Sequence, residues 1–170
     1  MGAETTESMF IVQKGNVHSA TLTYTAYSKP TSPSITDSST TIYAPSSSIT
    51  VKWAGGASSS TVSINSYTLK ILKGSASGTV LYTKTEIGSS STNYTVKISD
   101  FSTAPSRGDE LYASIQAIGS VTGYNGTVKS SKIGKINRLP GAPTYTSTGT
   151  SLNTTNSISY TVAAGTDSDS

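Results

Sequence analysis

Residues 108–119 read "GDELYASIQAIG". Leu111, Ala113, Ile115 and Ala117 alternate in it with Tyr112, Ser114 and Gln116. Successive side chains of an extended chain point to opposite faces, so this alternation predicts a strand with one buried face and one wet face. Tyr112 falls on the outward set. Gly108 and Asp109 open the strand as a turn, since Gly takes positive φ and Asp bonds nearby backbone.

Working outward, the same pattern recurs about every ten residues, separated by Gly, Ser, Asn and Pro clusters. Ile49, Val51 and Trp53 alternate with Thr50 and Lys52, and Tyr67, Leu69 and Ile71 alternate with Thr68 and Lys70. A further run holds Val80 and Tyr82, or Leu81 in the other register, after a turn at residues 74–78. Tyr94, Val96 and Ile98 follow, with Phe101 reaching in from the next bend; a last strand runs through Val128, Ile133 and Ile136. A first strand from Ser34 to Ile42, introduced by Pro30 and Pro33, makes seven. Short, evenly spaced strands without helical periodicity predict an all-β sandwich.

Composition agrees. The chain has 170 residues, 34% hydrophobic and only 12% charged, with ten Tyr, a palette suited to pleated, half-buried surfaces. That length fits one domain of ordinary size with material to spare, but is tight for two. Regular apolar alternation argues against a disordered linker. The net charge of +3 gives no basic face of the kind nucleic-acid binders carry, and Lys129, Lys132, Lys135 and Arg138 read as a solvated strand. With no Cys there is neither a disulfide framework nor a thiolate metal site. No apolar run of membrane-spanning length occurs, and Glu4 and Glu7 stand where a signal peptide would carry basic residues. No export signal and no membrane insertion are therefore expected.

The strands "ITVKW" at 49–53, "SYTLKI" at 66–71, "NYTVKI" at 93–98 and "GDELYASIQAIG" at 108–119 resemble those of a fibronectin type III domain, an immunoglobulin-like fold, over residues 30–138. The resemblance makes Trp53 the buried Trp of strand B. It also brings a departure: Leu111 stands where the family usually has a Tyr whose hydroxyl ties the bend before strand F.

The pattern is also partly repeated. "KPTSPSI" at 29–35 matches "LPGAPTY" at 139–145, with Pro33 and Pro143 spaced by 110 residues. Ile42 to Leu152 keeps that step; Ile49 to Ile158 and Trp53 to Val162 are steps of 109. Residues 139–170 thus read as the first two strands of a following repeat, truncated before its third. Residues 1–29, in which Leu22, Tyr24 and Ala26 alternate, resemble the last hairpin of a preceding repeat. Partial repeats expose apolar faces and strand edges, so either the sequence is a piece of a longer repeat protein or other chains complete it as partners through strand addition or repeat stacking.

Catalytic chemistry is not expected. Asp37, Glu86, Asp100, Asp109 and Glu110 are scattered, the neighbouring pair pointing opposite ways. His18 is the sole histidine, and no cofactor or metal site is indicated, the terminal "DSDS" reading as a polar tail. "GSASG" at 74–78 has Ala76 where a nucleophile elbow needs Ser. "RGD" at 107–109 reads as a turn, and the sequons at Asn93, Asn125 and Asn153 as chance matches in a Thr-rich chain. Two loops suit recognition: residues 54–65, with Ser58 and Ser59, and residues 119–127, with Tyr124 and Asn125. The resemblance implies a non-catalytic structural or adhesive module, in a virion or extracellular, of the kind found in tandem in bacteriophage tail or head proteins, with cell-surface carbohydrate among its expected partners. An accessory domain of a secreted polysaccharide-active enzyme or adhesin is the alternative.

Overall fold

The computed structural model describes residues 3–13, 15–37, 40–138, 140–147 and 160–166; in the first hairpin, residues 3–13, 16–20 and 22 are described as backbone alone. The chain is all-β and sandwich-like. Strands β1 (Ala3–Gln13) and β2 (Asn16–Ala26) form an antiparallel hairpin whose register runs from Ala3 opposite Ala26 to Gln13 opposite Asn16 without a slip. A three-stranded sheet has the order β3 (Ser34–Ile35), β5 (Ser48–Ala54), β8 (Asn93–Lys97). A five-stranded sheet has the order β4 (Ile42–Tyr43), β10 (Lys129–Ile136), β9 (Glu110–Gly119), β6 (Ile64–Lys73), β7 (Thr79–Gly88). A second hairpin pairs β11 (Thr144–Ser147) with β12 (Tyr160–Ala163).

The period-two faces meet in one core. Ile49, Val51 and Trp53 of β5 and Val96 of β8 pack with Leu69 and Ile71 of β6, Leu111, Ala113, Ile115 and Ala117 of β9, and Ile133 and Ile136 of β10. Leu111, not Tyr112, is the inward residue: Leu111 is fully buried, while Tyr112 is half-buried and its hydroxyl donates to Glu110 Oε2 at 3.3 Å. Trp53 is buried, donates from Nε1 to the Ser91 carbonyl at 2.9 Å, and meets the Tyr67 ring edge-on at 5.9 Å. At the open side, Tyr82 of β7 and Tyr94 of β8 stack at 6.5 Å and share a hydroxyl hydrogen bond of 3.2 Å, linking an edge of one sheet to an edge of the other. That bond, first, and then burial, push the Tyr82 pKa up to about 12.

Two expectations are corrected in detail, and one open alternative is decided. The first strand, read as Ser34 to Ile42, is two short strands in different sheets: β3 pairs antiparallel with β5, and β4 pairs parallel with β10. In β7 the register slips opposite Ile71 and Leu72, so Leu81 is the buried residue and Val80 is exposed. Val128 lies before β10 and is exposed. Each departure is a local irregularity, a sheet switch or a bulge, that strict alternation does not encode.

The C-terminal hairpin repeats the pairing of β3 with β5. Ser34 opposes Ala54 and Ile35 opposes Trp53; Thr144 opposes Ala163 and Tyr145 opposes Val162. These are the same positions after steps of 110 on one strand and 109 on the other. Beyond the strands, Thr31 N donates to Ala57 O at 2.8 Å, and its counterpart Gly141 N donates to Thr166 O at 2.9 Å. Residues 148–159, including Leu152, Asn153 and Ile158, and the terminal 167–170, lie outside the described residues.

Candidate functional site

The two loops singled out for recognition, between β5 and β6 and between β9 and β10, lie together at the end of the core where the chain enters from β2. Each is first of all braced by its own polar side chains. Ser58 Oγ accepts from Ile64 N at 2.9 Å, Ser59 Oγ accepts from Val62 N at 2.9 Å, and Asn125 Oδ1 accepts from Gly119 N at 3.1 Å. Ser and Asn side chains mimic backbone partners in this way, which is why a Ser- and Asn-rich loop holds a fixed shape. The two loops also meet each other, Ser63 N donating to Ser120 Oγ and Ser120 N to Ser63 O. Val62, inside the first loop, is buried beneath them. It lies so close to Gly119 that a Cβ there would stand 2.8 Å from Val62 Cγ1 and 2.2 Å from Tyr124 O.

On this braced surface sits the segment that follows β2. Ser59 Oγ donates to Ser28 O at 2.6 Å, and Ser28 N donates to Thr61 Oγ1 at 2.7 Å, a reciprocal pair across 31 and 33 residues. Tyr124 packs its ring on Tyr27 at 5.2 Å and 60°, a tilted pair of the sort that adds to simple area burial. Pro30 and Pro33 are buried, and Ser32 Oγ accepts the Ala117 amide at 2.9 Å inside the protein. Gly126 is the space for this entry: a Cβ there would lie 2.5 Å from Ser32 Oγ and 2.9 Å from Pro30 O. Of the four residues read from sequence, Ser59 and Tyr124 hold the incoming segment, and Ser58 and Asn125 shape the loops that carry it. What the sequence did not reveal was Thr61 and Ser28, two hydroxyl residues in Thr- and Ser-rich runs that carry no distinguishing pattern.

The arrangement docks the segment that follows β2 onto the two loops. Among the described residues no group of three or more His, Cys, Asp or Glu comes together to hold a metal. The backbone of His18 pairs with Ile11 in the first hairpin. Asp109 accepts from Ser106 N at 2.7 Å and pairs with Lys73 Nζ at 3.4 Å, while Gly108 adopts φ +85°, so the Arg-Gly-Asp tripeptide is tied into the turn before β9. Residues 74–78 form the turn from β6 to β7, with Gly78 N donating to Ser75 O at 3.0 Å. No described helix is long and apolar enough to cross a membrane. Scans of family models, curated proteins and solved structures returned no match to this chain.

Proposed function

We propose that the chain is a non-catalytic module of tandem fibronectin type III-like repeats, serving as a spacer or contact element in a larger assembly, and that the assembly is a bacteriophage virion, at a tail or head appendage. If β3 and β4 are the halves of one strand that changes sheet, residues 30–138 hold seven strands, A-B-E facing G-F-C-C′, the arrangement of an immunoglobulin-like sandwich. Residues 1–29 and 139–170 then belong to neighbouring repeats.

The observation that carries the reading is the duplicated register, Ile35 opposite Trp53 and Tyr145 opposite Val162, with the Thr31 and Gly141 amides bonded alike beyond them. A repeated supersecondary unit at a fixed period is the mark of a repeat array. The docked entry segment supports a spacer: two hydrogen bonds, a ring pair and buried prolines resist bending where one repeat leads into the next. Immunogold electron microscopy with antibody to residues 30–138 tests the assignment. Label on assembled particles is the expected result; label confined to the cell envelope or the medium would reject it.

A further inference from the structure

Residues 124–127 read "YNGT", and Asn125 with Gly126 is the sole Asn-Gly pair of the chain. Asn is a thermolabile residue, and a following Gly makes it more so, because no Cβ shields the next amide nitrogen and the backbone there turns freely towards the carboxamide. Once that nitrogen gives up its proton it attacks the Asn Cγ. A bond forms between the Gly nitrogen and Cγ, the bond from Cγ to Nδ2 breaks, and ammonia leaves with a proton taken from water. Water then opens the cyclic imide, at Cγ to give Asp or at the Asn main-chain carbonyl to give isoaspartate. In isoaspartate the backbone runs through Cβ and Cγ and is lengthened by a methylene.

In the folded chain both reacting groups are held. Gly126 N donates to Ala117 O at 2.9 Å, Gly126 O accepts from Gln116 Nε2 at 2.9 Å, and Asn125 Oδ1 accepts from Gly119 N at 3.1 Å. Gly126 is also buried under the segment that follows β2, where a Cβ on it would stand 2.5 Å from Ser32 Oγ and 2.9 Å from Pro30 O. The amide that must lose its proton is thus bonded and covered, and the carboxamide is turned to Gly119. Freeing them requires residues 30–32 to lift. The contacts before them, Tyr27 on Tyr124 and Ser28 with Ser59 and Thr61, are exposed or part-buried and therefore open at the low end of local stability. We propose that Asn125 and Gly126 form a modification site gated by this docked segment: sealed while it is seated, converted to Asp or isoaspartate when it lifts. Conversion to isoaspartate is one-way in effect. The lengthened backbone displaces Gly126 from Ala117, Gln116 and Ser32 together, so the segment no longer regains its seat. The site records undocking, and it does not depend on the repeat reading.

Incubation of the intact chain at mildly alkaline pH, followed by peptide mapping with isoaspartyl-specific methylation, tests this, with the free peptide 120–131 giving the unprotected rate. Asn125 is expected to convert at least about tenfold more slowly in the folded chain than in the peptide, because only the opened fraction reacts. Tyr27→Ala with Thr61→Val removes the ring pair and the bond to Ser28 N while leaving the loops' own braces, and conversion is expected to rise at least about threefold over wild type. The purified isoaspartyl product is expected to lose hydrogen-exchange protection at Gly126 N. Conversion of the wild-type chain at the peptide's rate would overturn the proposal, and that comparison stands even if the double variant does not fold. So would a folded double variant that reacts no faster than wild type, or an isoaspartyl product that keeps Gly126 N protected.

Discussion

Ile35 and Trp53 near the N-terminal end of the core, and Tyr145 and Val162 in the C-terminal hairpin, are paired alike and buried unlike. Trp53 is 3% exposed; Tyr145 and Val162 are 76% and 68% exposed. The pairing is local, set by alternation and by the backbone ladder of two strands. The burial is not local, because the first pair is covered by the five-stranded sheet and the second has no such sheet over it among the described residues. The comparison separates two links that usually travel together: sequence to register, and register to stability. A two-stranded hairpin with its apolar face in water contributes little by itself.

The sharpest way to break the comparison is to truncate the matched positions. Trp53→Ala is expected to cost about 3–5 kcal/mol, from a large cavity and a Ser91 carbonyl left without its donor. Val162→Ala, at the matching position, is expected to fall within about 0.5 kcal/mol of wild type, as exposed substitutions do. Urea unfolding of the intact chain measures both; comparable losses would mean that the second hairpin is covered too.

The same contrast exists within one strand. Leu111→Ala is expected to cost about 2–5 kcal/mol and Tyr112→Ala less than about 1 kcal/mol, since one faces the core and the other the Glu110 side. Equal losses would overturn the register of β9. Gly134→Val tests the bulge where β10 slips against β9, since the added side chain meets the Thr41 carbonyl; overpacking of this kind costs about 1–3 kcal/mol. Loss of hydrogen-exchange protection at Lys135 N, which donates to Thr41 O, would show that the chain leading into β4 has been pushed away.

Smallest is the effect of the tyrosine pair at the open side. Tyr82 keeps its proton in the folded protein to about pH 12, above its unfolded value, so its contribution is full below the ordinary tyrosine pKa and is lost as pH rises through about 12. Tyr94→Phe removes the largest cause. Ultraviolet titration is expected to show the Tyr82 midpoint moving down towards the ordinary tyrosine value; an unmoved midpoint would mean that burial, and not the shared hydroxyl bond, holds the proton.

These contrasts mark how far the sequence could be read. Where strands are regular, as in β5 and β9, counting by twos named the buried residues, and the sequence steps of 110 and 109 relate the pairing of Ile35 with Trp53 to that of Tyr145 with Val162. Where a bulge intervenes the count does not decide. It left Val80 and Leu81 as alternatives in β7, and the slip selects Leu81; in β10 it did not show that Lys132 and Lys135, read as a solvated strand, come to the same side. The split of the first strand between two sheets was likewise hidden, since two-residue pairings carry too little pattern. At the loops, the residue types were legible as candidates, but their use was not: Ser59 and Tyr124 are occupied by Ser28 and Tyr27, some thirty and ninety-seven residues away in sequence.

The repeat reading rests on register, and register is directly measurable. Nuclear Overhauser spectroscopy of the intact chain should place Tyr145 opposite Val162 and Ile35 opposite Trp53. Cross-strand contacts from Tyr145 to Thr161 or Ala163 instead, or none between the two segments, would contradict it.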